Sequence, residues 1–199
     1  MTRRPKVLLV RHAATAATRV PRFAGDEPLD AAGCVAAADM AGTLRGDRVV
    51  VAPSAACRQT AALAKLDPVE PVAGLADLDL GAWTNQELAV VGQADPGRLQ
   101  AWWSDVTVAP PEGESVAQLG DRVMAVLERL ATDAQRTVVI THAAVIRIAV
   151  LRALGAPDAG FWHLDVAPCS TTALHGRPDG TWTVSSCNVP APTQRAVHA

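Results

Sequence analysis

Two histidines in this chain of 199 residues follow short apolar runs of strand length. Residues 7–10 lead through Arg11 to His12, and residues 138–141 lead directly to His142. In open parallel sheets, ligands bind beyond the carboxyl ends of the strands. Because both imidazoles follow such ends, we expect them to meet at one edge of a sheet, where imidazole can act as a nucleophile or move a proton.

Arginines are expected to make the same edge an anion site. Arg11 precedes the first histidine, and Arg58 lies near the start of a helix that follows a third apolar run, residues 48–52. A guanidinium offers a planar fork of donors that matches phosphate oxygens, and helix N-termini add backbone N–H groups and a positive dipole end. Since no carboxylate lies beside these cations in the sequence, the cluster predicts a site for a dianionic phosphate.

The charges of this cluster predict a role for each kind of group. Repulsion from arginines favours the neutral form of imidazole, so one histidine is a usable nucleophile toward phosphorus. The second histidine and the arginines would stabilise the oxygens of an in-line transition state. A carboxylic acid must then protonate the leaving oxygen. The segment of residues 75–81 offers Asp77 and Asp79 on one side of an extended chain, and the choice between them stays open.

Short apolar runs alternate with helical patterns along the chain. Strand-length runs cover residues 6–10, 48–52 and 137–141, helical periodicity covers residues 29–44, 55–66, 115–130 and 143–154, and two terminal strands, residues 171–174 and 182–185, flank a turn. This alternation predicts an α/β fold, a single-domain three-layer α/β/α sandwich around a mainly parallel central sheet. We expect one domain over residues 1–189, with residues 67–113 as an insertion on the substrate side, and a C-terminal tail at residues 190–199.

Composition and charge exclude several classes of protein. Hydrophobic residues make up 49% and charged residues 19% of the chain, which provides enough apolar surface for a core and excludes intrinsic disorder. A net charge of −2 predicts no bulk attraction to nucleic acid or to an anionic membrane. The most apolar long segment, residues 137–156, contains two arginines and a histidine, so it fails the test for a membrane span.

Two further features predict a cytoplasmic protein without a metal site. The first 12 residues lack the long apolar stretch of a signal peptide. The four cysteines lie far apart and form no CxxC pair, which argues against a zinc site or a redox dithiol and favours buried, reduced thiols.

Five segments carry motifs in an order that matches one known family. Residues 11–15 read Arg-His-Ala-Ala-Thr where the family has Arg-His-Gly-Glu-Thr. Residues 54–60 resemble the family's Ser-Pro…Arg-x-x-Gln-Thr-Ala motif, and residues 77–83 resemble its Glu-x-Asp-Phe-Gly-x-Trp motif. Residues 113–122 resemble its Gly-Glu-Ser…Arg-Val motif, and residues 141–147 resemble its Ser-His-Gly-Gly-Val-Ile-Arg motif. This set resembles the histidine phosphatase superfamily, branch 1, which has the phosphoglycerate mutase-like fold. The resemblance covers nearly the whole chain and implies a phosphomonoester hydrolase that uses no metal or organic cofactor.

The resemblance also implies roles for individual residues. His12 would be the nucleophile that becomes phosphohistidine, and Asp77 would take the position of the proton-donating glutamate, with Asp79 as the runner-up. The implied catalytic set is Arg11, His12, Arg58, Asp77 and His142, and the implied substrate-binding set is Arg11, Thr15, Thr18, Arg58, His142 and Ala143. The implied partner is a small phosphorylated substrate, bound by a monomer or a homodimer.

The chain departs from the family pattern around the predicted site. Ala13, Ala14 and the pair Ala143–Ala144 stand where the family has glycine or glutamate, and glycine allows close backbone approach that an alanine methyl can block. Asp77 is one methylene shorter than glutamate. The alternative function is therefore a catalytically degenerate phosphate-binding module. A phosphoglycerate mutase ranks below both, because mutases of this superfamily are usually longer.

Overall fold

One mixed sheet of six strands forms the centre of the computed structural model, which describes residues 4–67, 69–132, 136–177 and 179–193. The strands are β1 (Lys6–Arg11), β2 (Arg48–Val51), β3 (Glu70–Pro71), β4 (Arg136–Thr141), β5 (Ser170–Gly176) and β6 (Trp182–Pro190). Their order in the sheet is β3-β2-β4-β1-β5-β6. The first four strands pair in parallel, whereas β5 is antiparallel to both β1 and β6. The sheet is therefore mainly parallel, as predicted.

Six α-helices connect and cover the strands in the described part of the chain. They are α1 (Ala31–Asp39), α2 (Ala55–Leu63), α3 (Leu88–Ala94), α4 (Pro96–Ser104), α5 (Val116–Ala131) and α6 (Ala143–Leu154). The side chains of Asp30, Ser54 and Ser115 cap α1, α2 and α5, which satisfies backbone N–H groups of their first turns. α1 contacts α2, and α5 contacts α6. The predicted α/β class and its single-domain sandwich architecture are confirmed.

Several predicted boundaries move for local backbone reasons. The helix predicted at residues 29–44 is too long, because α1 ends at Asp39 and the chain then turns through Gly42, whose φ is +73°. The next helix, α2, ends at Leu63 and is followed by Lys65 at a φ of +55°. Left-handed backbone of this kind ends helices, and the apolar pattern alone does not reveal it.

The two remaining segments carry more regular structure than the sequence predicts. Residues 67–113 contribute the edge strand β3 together with α3 and α4. At the other end, β6 runs through Pro190 and Ala191 is buried, so the predicted tail begins inside the sheet. Residues 194–199 of that tail lie outside the described residues. In the described ranges, no helix combines the length and the apolar character that crossing a bilayer requires.

The carboxyl ends of β1, β2 and β4 lie side by side. The backbone N–H of His12 donates to the carbonyl of Thr141 at 2.9 Å, and the N–H of Ala52 donates to the carbonyl of Ile140 at 2.9 Å. The strands themselves are fully buried at residues such as Val139. The residues that follow these strands are therefore held on a rigid edge of the sheet.

Candidate active site

A cleft of about 230 Å³ opens at this edge of the sheet. Among the residues that line it are seven of the predicted site residues: Arg11, His12, Thr15, Thr18, Asp77, His142 and Ala143. Two predicted residues, Arg58 and Asp79, do not line this cleft. The cleft thus brings together both predicted imidazoles, one of the two predicted guanidinium groups and one of the two predicted acids.

The two imidazoles are direct neighbours. The ring centroids of His12 and His142 lie 5.0 Å apart at an interplanar angle of 67°. The Nδ1 atom of His12 lies 2.7 Å from the carbonyl oxygen of Ala13. Because a carbonyl only accepts, Nδ1 must carry the hydrogen, and the Nε2 atom of neutral His12 keeps its lone pair.

His12 is uncharged at neutral pH. Burial, together with the neighbouring charges of His142 and Arg11, lowers its pKa from 6.5 to about 4, against the opposing effect of Asp77. The hydrogen bond to Ala13 also opposes the shift. Burial is the largest of these causes, because a charged imidazole loses hydration in the cleft.

His142 lies between a carboxylate and a thiol. Its Nδ1 atom is 3.3 Å from Oδ2 of Asp77, and its Nε2 atom is 3.6 Å from Sγ of Cys57. Burial raises the pKa of the Cys57 thiol to about 12, so the thiol stays protonated beside the ring. The side chain of Asp77 is 46% exposed and lines the cleft.

Asp77 and Asp79 have different surroundings. The second oxygen of the Asp77 carboxylate accepts from the N–H of Leu78 at 2.9 Å. Asp79 is exposed, and its carboxylate accepts from the N–H of Gly81 at 2.9 Å. Of the two candidates for the acid, only Asp77 lines the cleft that holds His12.

Arg11 has an incomplete set of partners. Its Nη1 atom donates to the carbonyl of Val166, while its Nε atom is buried without a hydrogen-bond partner among the described residues. Burial lowers the pKa of Arg11, and the positive charge of Arg147 lowers it further. The guanidinium remains protonated at neutral pH, so the cleft contains a half-buried cation that an anion would neutralise.

The structure does not bring Arg58 to the cleft, which corrects the prediction. Arg58 is exposed, and its Nη1 atom donates to the carbonyl of Pro53. The family motif spaces its arginine three residues ahead of glutamine, and Ala56 holds that position ahead of Gln59. Residues two apart on a helix point about 200° away from each other, so Ala56, which lines the cleft, and Arg58 face different directions.

Two arginines that the sequence reasoning missed line the cleft instead. The Arg147 side chain is 26% exposed, and its guanidinium lies over the Phe161 ring, 5.7 Å from the centroid. Arg22 forms an ion pair with Glu27. The helix period offered a signal for Arg147, since it lies one turn after Ala143 on the helix that begins at the cleft. Nothing in the sequence pattern pointed to Arg22.

The start of helix α6 provides donors to the cleft. The side chain of His142, at the N-cap position, makes no capping hydrogen bond, and Ala143 and Ala144 line the cleft. The N–H groups of a first helical turn have no partner within the helix and favour anions. Neither alanine has positive φ, and the same holds for Ala13, so the replacement of glycine at these three positions adds no backbone strain.

The rest of the cleft wall combines hydroxyl and aromatic groups. Thr15 is buried, and Thr18 donates its hydroxyl to the carbonyl of Thr15 at 2.7 Å. Trp102 and Trp162 form an edge-to-face pair with centroids 4.4 Å apart. Across the described ranges, no group of three or more histidine, cysteine, aspartate and glutamate side chains is arranged to hold a metal ion.

Comparison with known proteins agrees with this geometry. The sequence model of the histidine phosphatase superfamily (branch 1) matches residues 7–190. The chain belongs to this superfamily. The resemblance read from the five motifs is therefore confirmed.

Relatives of this superfamily member include a phosphatase. The adenosylcobalamin/alpha-ribazole phosphatase of Escherichia coli (strain K12) is 27% identical over 172 residues, which cover 81% of this chain and 85% of that protein. The bifunctional protein Rv2228c of Mycobacterium tuberculosis is 28% identical over 196 residues, or 92% of this chain, and the chain spans about half of that protein (53%). The structure of the alpha-ribazole phosphatase from Shigella flexneri shares the fold, with a TM-score of 0.82, 23% identity and coverage of 94% of this chain and 97% of that one.

Proposed function

We propose that the protein is a phosphomonoester hydrolase that works through a phosphohistidine at His12. The observation that carries this proposal is the neutral imidazole of His12 in an anion-binding cleft. Its Nδ1–H is held by the Ala13 carbonyl, its pKa is lowered to about 4, and its Nε2 lone pair is free for attack. The half-buried Arg11 and the first turn of α6 line the same cleft and stabilise phosphoryl oxygens.

The first step transfers the phosphoryl group to the protein. Nε2 of His12 attacks phosphorus in line with the leaving oxygen, the N–P bond forms, and the P–O bond of the ester breaks. A protonated Asp77 gives its proton to the leaving oxygen, which departs as an alcohol. His142, in contact with Asp77, and Arg11 hold the remaining oxygens during the transfer.

The second step returns the protein to its starting state. The Asp77 carboxylate takes a proton from water, and the water oxygen attacks phosphorus as the N–P bond breaks. The products are inorganic phosphate and neutral His12, and Asp77 is protonated for another cycle. Every charge in both steps is met by a side chain or a backbone N–H, so metal independence is part of the proposal.

A phosphate-binding module without turnover is the second candidate. Ala56 favours it, because this methyl group lines the cleft at the position where the family motif has an arginine. The shorter carboxylate of Asp77 favours it as well. Both features predict slow hydrolysis even if the phosphohistidine forms. A phosphoglycerate mutase remains the third candidate, and a coupled mutase assay tests it.

The substrate is proposed to be a small phosphorylated molecule whose alcohol part lies against the aromatic wall of Trp102 and Trp162. One relative acts on adenosylcobalamin and alpha-ribazole phosphates by name, so ribazole phosphate belongs in the test set beside sugar phosphates and nucleotides. All four cysteines are free, which suits a reducing compartment, and a cytoplasmic location is part of the proposal.

A phosphatase panel tests this function. We expect wild-type protein in the presence of a chelator to release phosphate from an aryl phosphate and from at least one natural phosphomonoester. His12→Ala should reduce that release to background, whereas His163→Ala, an exposed histidine outside the cleft, should leave it unchanged. Full activity in His12→Ala contradicts the mechanism. No turnover with clear protection by phosphate against thermal unfolding supports the binding module instead.

A further inference from the structure

Three guanidinium groups in the cleft have an unused Nε donor, and one of them, that of Arg22, already forms an ion pair with Glu27. The Nε atoms of Arg11 and Arg147 are both buried, and neither has a hydrogen-bond partner among the described residues. Burial and the charge of Arg147 lower the pKa of Arg11, which shows that the two cations are near enough to repel each other. The carboxylate of Asp77 offsets part of this repulsion, but two half-buried cations with buried, unsatisfied Nε–H groups favour a further anion between them.

Two carboxylates act on Arg147, those of Asp165 and Asp77, and neither accepts a hydrogen bond from its Nε atom. Among the described residues, Asp165 is its ion-pair partner: the Oδ1 atom is 3.9 Å from Nη2 of Arg147, and the Asp165 side chain is 84% exposed. Water and salt screen such a pair strongly. The ring of Phe161 holds the guanidinium by a cation–π contact, which fixes its position without supplying a negative charge.

The elements around the cleft place Arg147 toward a bound anion. Side chains four residues apart share one face of a helix, and Ala143, four residues before Arg147, lines the cleft at the start of α6. On helix α2, Ala56 offers only a methyl group to the same cleft, and Arg58 does not line it. The second guanidinium that a phosphate dianion needs is therefore missing from α2 and present on α6.

We propose that Arg147 binds the phosphoryl group of the substrate together with Arg11. A phosphate dianion that contacts both groups neutralises the two charges and accepts from the two unused Nε–H groups. This inference rests on the proposed function, because it needs a phosphate to occupy the cleft of His12. Arg147 thus takes the role of the second phosphate-binding arginine, which the motif resemblance had assigned to Arg58.

Binding of inorganic phosphate to full-length protein, measured by calorimetry at fixed ionic strength, tests the proposal. We expect Arg147→Gln to weaken phosphate binding about tenfold or more, as the loss of charged hydrogen bonds predicts. Arg58→Gln removes the rival arginine, and Arg98→Gln removes an exposed guanidinium on α4. Both should bind phosphate as wild type does. A loss of binding in Arg58→Gln without a loss in Arg147→Gln overturns the proposal.

The melting temperature of the ligand-free variants separates binding from structure. We expect ligand-free Arg147→Gln to melt at or above the wild-type temperature, because the change removes a charge beside Arg11. The variant should also lose the rise in melting temperature that phosphate produces in the wild type. If Arg147→Gln does not fold, Arg147→Lys carries the test. It keeps the charge but loses the planar fork, so its dissociation constant should rise severalfold, and an unchanged constant overturns the proposal. Wild-type protein that binds no phosphate contradicts the proposed function itself, whereas wild-type binding with an unaffected Arg147→Gln contradicts only the role of Arg147.

Discussion

His12 owes its chemistry to its surroundings more than to its type. Burial disfavours the charged imidazole, and the positive field of His142 and Arg11 adds to that effect. The Ala13 carbonyl fixes which nitrogen carries the hydrogen. A substrate phosphate brings negative charge and acts in the opposite direction, so proton binding by His12 and binding of the anion are coupled. The ligand-free protein therefore gives the cleanest measure of the His12 environment.

We expect His12 in the ligand-free protein to titrate near pH 4 rather than near 6.5. At pH 5.5 the ring should thus be largely neutral, whereas a histidine with the ordinary pKa near 6.5 is largely protonated. A magnetic resonance titration of the imidazole C–H signals measures this, and His12→Gln identifies the signal. A midpoint near 6.5 would show that the ring is hydrated and that burial does not control its charge.

The same shift sets how stability depends on pH. Below pH 6.5 the unfolded chain takes up a proton at His12, and the native chain does so only near pH 4, so the free energy of unfolding falls as the pH falls through this window. The full shift corresponds to about 3 kcal/mol. Urea unfolding at pH 7 and pH 4.5 measures this dependence. Between these two pH values the free energy of unfolding of His12→Gln should fall less than that of wild type, and an equal fall would contradict the assignment.

At the scale of elements, the loop that carries Asp77 is fixed by its neighbours. Arg122 of α5 donates to the carbonyls of Gly74 and Ala76 at 3.0 and 3.1 Å, and to that of Asp77 at 3.1 Å. The same guanidinium forms an ion pair with Glu114. Arg122 thus acts through the loop backbone, since it holds the position of the carboxylate without itself lining the cleft.

We expect Arg122→Met to reduce kcat about tenfold or more while the dissociation constant for phosphate stays within twofold of wild type. A displacement of about 1 Å in a catalytic group can cost about a hundredfold in rate, whereas Arg11 and His142 keep their own supports. Steady-state kinetics and calorimetry together measure the two quantities. Arg129→Met changes an exposed arginine of the same helix and should alter neither. Equal losses of kcat and of phosphate affinity would mean that the whole cleft is disturbed.

The elements differ in how far the sequence predicted them. The ends of β1 and β4 were predictable because each apolar run stops at a histidine, and the alternation of runs was enough for the α/β architecture. Arg58 was misplaced because a shift of two residues on a helix reverses the direction of a side chain, and the motif matched only loosely there. Residues 67–113 fold into elements of two to nine residues, which are too short to show a period.

At the scale of the whole molecule, separate parts of the chain meet at the cleft and leave some of their hydrogen-bond donors without partners. The strand ends deliver His12 and His142, α6 delivers its open first turn and Arg147, and the loop after β3 delivers Asp77. The Nε–H donors of Arg11 and Arg147 have no partner there among the described residues. An anion that fills the cleft should therefore stabilise the whole domain and not only the residues that it touches.

Mass action gives this expectation a size. Phosphate at a hundredfold excess over its dissociation constant should stabilise the native state by about 2.7 kcal/mol, which raises Tm by roughly 5–10 °C for a domain of this length. Differential scanning calorimetry at constant ionic strength, with chloride in place of phosphate as the control, measures the shift. Because the first turn of α6 and the two imidazoles contribute besides Arg11, His12→Ala should lose catalysis yet keep a part of this shift. An equal shift with chloride would mean that the ions act by general screening and that phosphate is not bound specifically in the cleft.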